Sequence, residues 1–87
     1  MTSSLRQPDY RAFVDALVRL RLERGVTQSD LAQTLGKPQS FDSKYERGER
    51  RIDPAEFRSI ALALGADPSS LFAGVDAKLS DPSSKSN

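Results

Sequence analysis

The sequence contains no cysteine, no histidine and no tryptophan, and only one methionine. Without cysteine there is neither a disulfide framework nor a thiolate metal site. Without histidine the commonest general base and metal ligand is missing, so catalysis would have to rest on Asp, Glu, Lys, Tyr or Ser. The acidic residues are better explained as helix starts and surface charges, and the expectation is that the chain is not an enzyme and holds no cofactor and no metal. No apolar run approaches the ~18–20 residues of a membrane span, and the first residues lack a signal-peptide apolar region. These absences point to an intracellular, cytoplasmic protein with no membrane partner. A strong excess of one charge is also lacking: 13 Lys and Arg face 12 Asp and Glu, a net charge of +1.

The distribution of charge says more than its sum. Lys37, Lys44, Arg47, Arg50 and Arg51 crowd together, while Asp67, Asp76 and Asp81 lie further on. When a duplex meets one face of a small domain, the local field matters more than the total. A solvated surface would carry such a run equally well.

The chain is organised around Thr27–Gly48, TQSDLAQTLGKPQSFDSKYERG. Thr27 is a helix cap, since its hydroxyl accepts a bond from an unpaired backbone N–H. Leu31, Ala32 and Leu35 then share an inward face. Gly36 stands where the helix must stop and turn, and Lys37-Pro38 blocks its continuation, with Pro38 suited to the first turn of the next helix. That second helix runs from Gln39 to about Arg47 and stops at Gly48. Two short helices about a tight turn make a helix-turn-helix, the arrangement that seats its second helix in the DNA major groove.

Residues 1–8 have no apolar period and read as a flexible arm, in which Arg6 is a frayed terminal residue rather than a DNA contact. Asp9 caps a first helix, Tyr10 to about Arg24, with Phe13, Val14, Leu17, Val18 and Leu20 along one broad side. Asp53-Pro54, with Glu56 three residues after Asp53, starts a fourth helix to about Leu64, on which Phe57, Ile60, Ala61 and Leu64 share a face. Asp67-Pro68 repeats the signal, for a short last helix from Pro68 to about Phe72 that Gly74 ends. Residues 74–87 form a C-terminal tail: Val75 and Leu79 are spaced for one extra helical turn, and disorder is expected from Ser80 onward. The sum is a compact all-α domain of five helices over residues 9–73.

The helix order, TQxxLA, LG, PQS, ERG and a DP-initiated helix closing in LALGADPSSLF resemble the lambda-repressor/Cro-like helix-turn-helix family, the Xre family of bacterial and phage transcription regulators. The resemblance covers about residues 9–73 and implies a five-helix lambda-repressor-like fold. It also implies that Gln39, Ser40 and Lys44, with Ser43 beside them, face base edges; glutamine pairs bidentately with adenine, and lysine donates to guanine O6 or N7. Gln28 matches a phosphate-binding glutamine, and Lys37, Arg47, Arg50 and Arg51 are expected on the phosphate backbone. Arg21 and Glu46 match a structural ion pair. The resemblance further implies a repressor that acts as a homodimer on double-stranded DNA. A protein-interaction module of the same fold, an antitoxin or adaptor with a protein partner on the C-terminal tail, is the alternative.

One residue departs from the family pattern. Asp42 stands where a Val or Ile is usual, on the inner face of the recognition helix. Three arrangements accommodate it: a bond to the helix-two backbone or an arginine, a rotated helix with Phe41 filling part of the inner face, or a substitution that weakens DNA binding.

Overall fold

A computed structural model describes residues 7–80 as five helices with no strand among the described residues. They are α1 (Pro8–Glu23), α2 (Gln28–Leu35), α3 (Gln39–Glu46), α4 (Pro54–Ala63) and α5 (Pro68–Ser80). Helix α3 packs against α2 and α1, α2 also packs on α4, and α5 closes the bundle against α1 and α4. The core joins Val14 and Leu17 of α1, Leu31 of α2, Phe41 and Tyr45 of α3, Ile52, and Ile60, Ala61 and Leu64 around α4. Helices α1 to α4 thus build the core, and Leu71 of α5 packs against it from the edge.

The start of α1 differs from the sequence pattern. Asp9 does not cap it; Pro8 is the first helical residue, Gln7 is the extended flanking residue, and no side chain caps the end. Proline suits this position because its fixed φ is already helical and its missing N–H has no partner to lose. Asp9 sits in the first turn instead, where its charge complements the helix dipole.

The turn between α2 and α3 is built as the sequence indicates at its first end. Thr27 Oγ1 accepts from the Asp30 N–H at 3.0 Å. Gly36 takes φ 70° and ψ 30°, and the Lys37 N–H returns to the Ala32 carbonyl at 2.9 Å. At the second end, Pro38 is not in the first turn of α3. It is the extended residue before it, with φ −67° and ψ 153°. Asp53 and Glu56 form a reciprocal capping box at α4, at 2.7 and 3.0 Å.

The last helix is the largest departure. Gly74 does not end it; α5 runs through to Ser80. Gly74 lacks the positive φ of a stop signal. A glycine inside a helix costs only about 1 kcal/mol relative to alanine, and the packing beyond it offsets that cost. Val75 is buried, and Leu71 packs against the core from the turn before. A boundary at residue 74 thus falls within a helix. Ser80, from which disorder is expected, is still helical, while Arg6 and the residues after Ser80 lie outside those described.

Candidate nucleic-acid interface

Helix α3 divides its residues between two sides. Phe41, Asp42, Tyr45 and Glu46 are buried, whereas Gln39, Ser40 and Lys44 are exposed and Ser43 is partly exposed. Pairs at i, i+1, i+4 and i+5 form one stripe of a helix, so the two sets fall on opposite sides. The four residues expected to read bases thus share one open face. Ser43 Oγ donates to the Ser40 carbonyl at 3.4 Å, a long contact readily exchanged for another partner.

The basic residues around this face differ in their engagements. Lys37 is exposed, with Nζ 5.2 Å from the centroid of the Phe41 ring. Arg47 meets Glu49 at 3.0 Å on the open surface, where both side chains are more than half exposed. Arg50 is held more firmly: it grips Glu56 through two bonds at 3.1 and 2.8 Å, and its guanidinium carbon lies 4.7 Å from the Phe41 ring centroid. Glu56 raises the Arg50 pKa, and Arg50 in turn holds the Glu56 carboxyl below its ordinary range. Arg51 lies over the Tyr10 ring at 4.6 Å. Gln28, the first residue of α2, turns its amide inward and donates from Nε2 to Glu46 Oε1 at 3.0 Å.

Beneath α3 lies an ionic cluster. Arg21 donates from Nε to Glu46 Oε2 at 2.7 Å and from Nη2 to Glu46 Oε1 at 3.0 Å, while Nη1 reaches the Val26 carbonyl at 2.8 Å. One arginine thereby ties α1 to the end of α3 and to the loop before α2. Burial pushes the Glu46 carboxyl up, but the bonds from Arg21 outweigh it and leave the pKa lowered.

Asp42 is fully buried beside this pair. Neither of its carboxyl oxygens has a hydrogen-bond partner, nor does the buried Tyr45 hydroxyl. The Arg21 Nε is 3.9 Å away, too far to hydrogen-bond. Burial, with the neighbouring Glu46 carboxylate adding to it, pushes the Asp42 carboxyl up to about 7. Burial likewise pushes the Tyr45 hydroxyl up. Of the three arrangements open from sequence, the inner face is shared: Asp42 keeps its inward position and Phe41 is buried beside it. A hydrogen bond from arginine or backbone does not form.

Two anchors of this face carry no sequence motif. Arg11 Nη2 donates to the Glu46 carbonyl at 2.6 Å, satisfying the C-terminal end of α3 from α1. Tyr10 Oη accepts from the Ile52 N–H at 3.0 Å and fixes the loop after α3. Both contacts span more than 30 residues. Arg11 announces only its local pair with Asp15 at 2.9 Å.

The sequence profile of the helix-turn-helix family matches residues 17–71. A solved XRE-family like protein from Pseudomonas syringae pv. tomato str. DC3000 is 40% identical, with a TM-score of 0.81 over 85% of this chain and 89% of that one. The chain belongs to the Xre family of helix-turn-helix transcription regulators. Two crystal structures of the clp gene regulator ClgR from Corynebacterium glutamicum are also similar to this Xre-family chain. One is 25% identical with a TM-score of 0.70, covering 82% of this chain and 76% of that one. The other is 26% identical with a TM-score of 0.68, covering 79% and 88%. No curated protein matches. The Xre-type helix-turn-helix is α2–α3, so the open face of α3 is that of the second helix of the motif.

Proposed function

We propose that the chain is a sequence-specific DNA-binding repressor that acts in the cytoplasm as a homodimer on a two-fold-related operator. The observation that carries this reading is the sorting of α3, with Gln39, Ser40, Ser43 and Lys44 on its open side and the remaining four residues packed inward. In this reading the open side enters the major groove and those four residues meet base edges. Lys37, Arg47, Arg50 and Arg51 meet phosphates, as does Gln28 at the N-terminus of α2, whose free N–H groups favour an anion. Arg50 and Gln28 must exchange intramolecular hydrogen bonds to do so, Lys37 has only its place over the Phe41 ring to leave, and Lys44 need only lose water. Arg21 and Glu46 hold the geometry and touch no DNA.

We place the dimer face at the C-terminal edge, on the last helix with Leu71, Phe72, Val75 and Leu79. Leu71 and Val75 turn toward the body. Phe72, half exposed, and the partly exposed Leu79 remain available to a second copy, and Leu62 on α4 is exposed as well. Operator half-sites would then be about 34 Å apart, one turn of duplex.

The chain's own neutralisation of Arg47 by Glu49 and of Arg50 by Glu56 favours a second reading, a protein-interaction module with weak DNA affinity and a partner on residues 74–87. Selection of duplexes from a genomic library at moderate salt, followed by sequencing, separates the two. Enrichment of a short inverted repeat supports the repressor. Absence of any enrichment by protein confirmed to be folded sinks it and leaves the module.

A further inference from the structure

The Asp42 carboxyl is out of place in the packing of α3. It is the one side chain of the inner face that is charged in water, buried and without a hydrogen bond. The groups around it are few. From α1, Arg21 faces it at 3.9 Å, but its Nε and Nη2 are spent on Glu46 and its Nη1 on Val26. From α3 itself come Glu46, one turn further along, and the Tyr45 hydroxyl. From α2 the polar group reaching the cluster is the uncharged Gln28 amide, bound to Glu46; Asp30 is exposed.

Two carboxylates therefore share one guanidinium. With Asp42 protonated the cluster is neutral; with Asp42 ionised it carries a buried net negative charge. Arg21 and the Tyr45 hydroxyl favour the charged form but neither makes a hydrogen bond to it, and a buried charge so poorly held must draw in water or neutralise. We propose that Asp42 is a proton-controlled latch on the recognition helix: protonated, it lets α3 seat against α1 and α2 as observed, and ionised, it loosens that seat and weakens DNA binding. The consequence for DNA rests on the function proposed above; the latch itself does not.

Two effects give the latch its direction. The ionised carboxylate repels Glu46, whose oxygens hold both Arg21 and Gln28, so loosening spreads from α3 to the N-terminus of α2. DNA phosphates on the opposite, open side of α3 add negative potential across the helix and favour the proton further. Because burial pushes the Asp42 carboxyl up to about 7, the change falls near neutrality. If only the protonated form binds, affinity falls about tenfold between pH 6 and pH 8, in proportion to the competent fraction.

The test follows the side-chain carboxyl carbon of Asp42 by NMR in the full chain from pH 5 to pH 9, with amide exchange of α3 recorded alongside. The latch requires a carboxyl titration near neutral pH and faster exchange in α3 above it. An Asp42 carboxyl that titrates in the ordinary carboxylate range, or α3 amides indifferent to its ionisation, overturns the proposal. Binding to the duplex recovered by selection is then measured at pH 6 and pH 8. The wild type is expected to lose about tenfold in affinity, while Asp42→Asn and Asp42→Val change less than twofold. An equal loss in wild type and both variants assigns the pH effect elsewhere and overturns the link to DNA. No duplex bound at any pH, with the titration and exchange coupling intact, overturns the repressor reading and leaves the latch standing.

Discussion

Arg21 comes within 3.9 Å of Asp42 yet gives it no hydrogen bond, because the same Nε donates to Glu46 at 2.7 Å. The recognition helix is consequently locked by one carboxylate and strained electrostatically by another, four residues apart. An interior aliphatic side chain at this position would keep the lock without the strain.

Asp42→Val is expected to raise the melting temperature at pH 7.5. The buried carboxyl withholds of the order of 2 kcal/mol, which corresponds to roughly 10 °C for a domain of this size. Differential scanning calorimetry checks it, and an unchanged or lower midpoint rejects the assignment.

The pH dependence has a defined sign. The folded Asp42 carboxyl lies at about 7, above its ordinary value of 3.8, so the folded state binds more protons than the unfolded state between those limits. Stability from this group is therefore lost as pH rises from about 4 to about 7, and the loss is complete above that. Glu46 and Glu56, held below their ordinary range, act oppositely and lose their contribution as pH falls below the unfolded carboxylate range. Thermal melts at pH 5 and pH 7.5 should show the wild type more stable at pH 5, with most of that difference removed in Asp42→Val.

Arg21→Met removes the cation between two buried carboxylates and is expected to cost about 3 kcal/mol or more at neutral pH. Combining it with Asp42→Val should recover part of the loss, since one of the stranded charges is then gone. Strictly additive effects in urea unfolding would show that Arg21 and Asp42 are not coupled.

The salt dependence of DNA binding should distinguish the basic residues. Lys37→Ala is expected to reduce the slope of log K against log salt by about 0.9, as for one free phosphate contact. Arg50→Ala should reduce it by less, because Glu56 already neutralises that guanidinium at 2.8 Å. Equal reductions would mean that Arg50 leaves Glu56 for the duplex at little cost.

Gly36→Ala is expected to destabilise the fold by about 1 kcal/mol. A Cβ there meets nothing within 4 Å, so the cost is that of holding a non-glycine residue at φ 70°. A loss well above that would point to a rearranged turn, visible as altered shifts in α2 and α3.

Local signals sufficed for much of the fold. Thr27, Gly36 and the Asp53/Glu56 capping box act within a few residues of where they stand, so their roles follow from the chain alone. The open stripe of α3 follows from the family resemblance rather than from apolar spacing, since its inner side carries Asp42 and Glu46 beside Phe41 and Tyr45. Local rules failed at Asp9 and Gly74. Pro8 already supplies a helix start, and Gly74 stops nothing when Leu71 and Val75 are both held by the body. The sequence alone also flagged Asp42 as misplaced, but its state depends on where Arg21 spends its hydrogen bonds. That allocation, the reach of Arg11 to the end of α3 and the capture of Arg50 by Glu56 were decided by the tertiary structure. Spacing along a chain fixes which way a helix faces; which partner a long charged side chain takes is settled only when the helices are brought together.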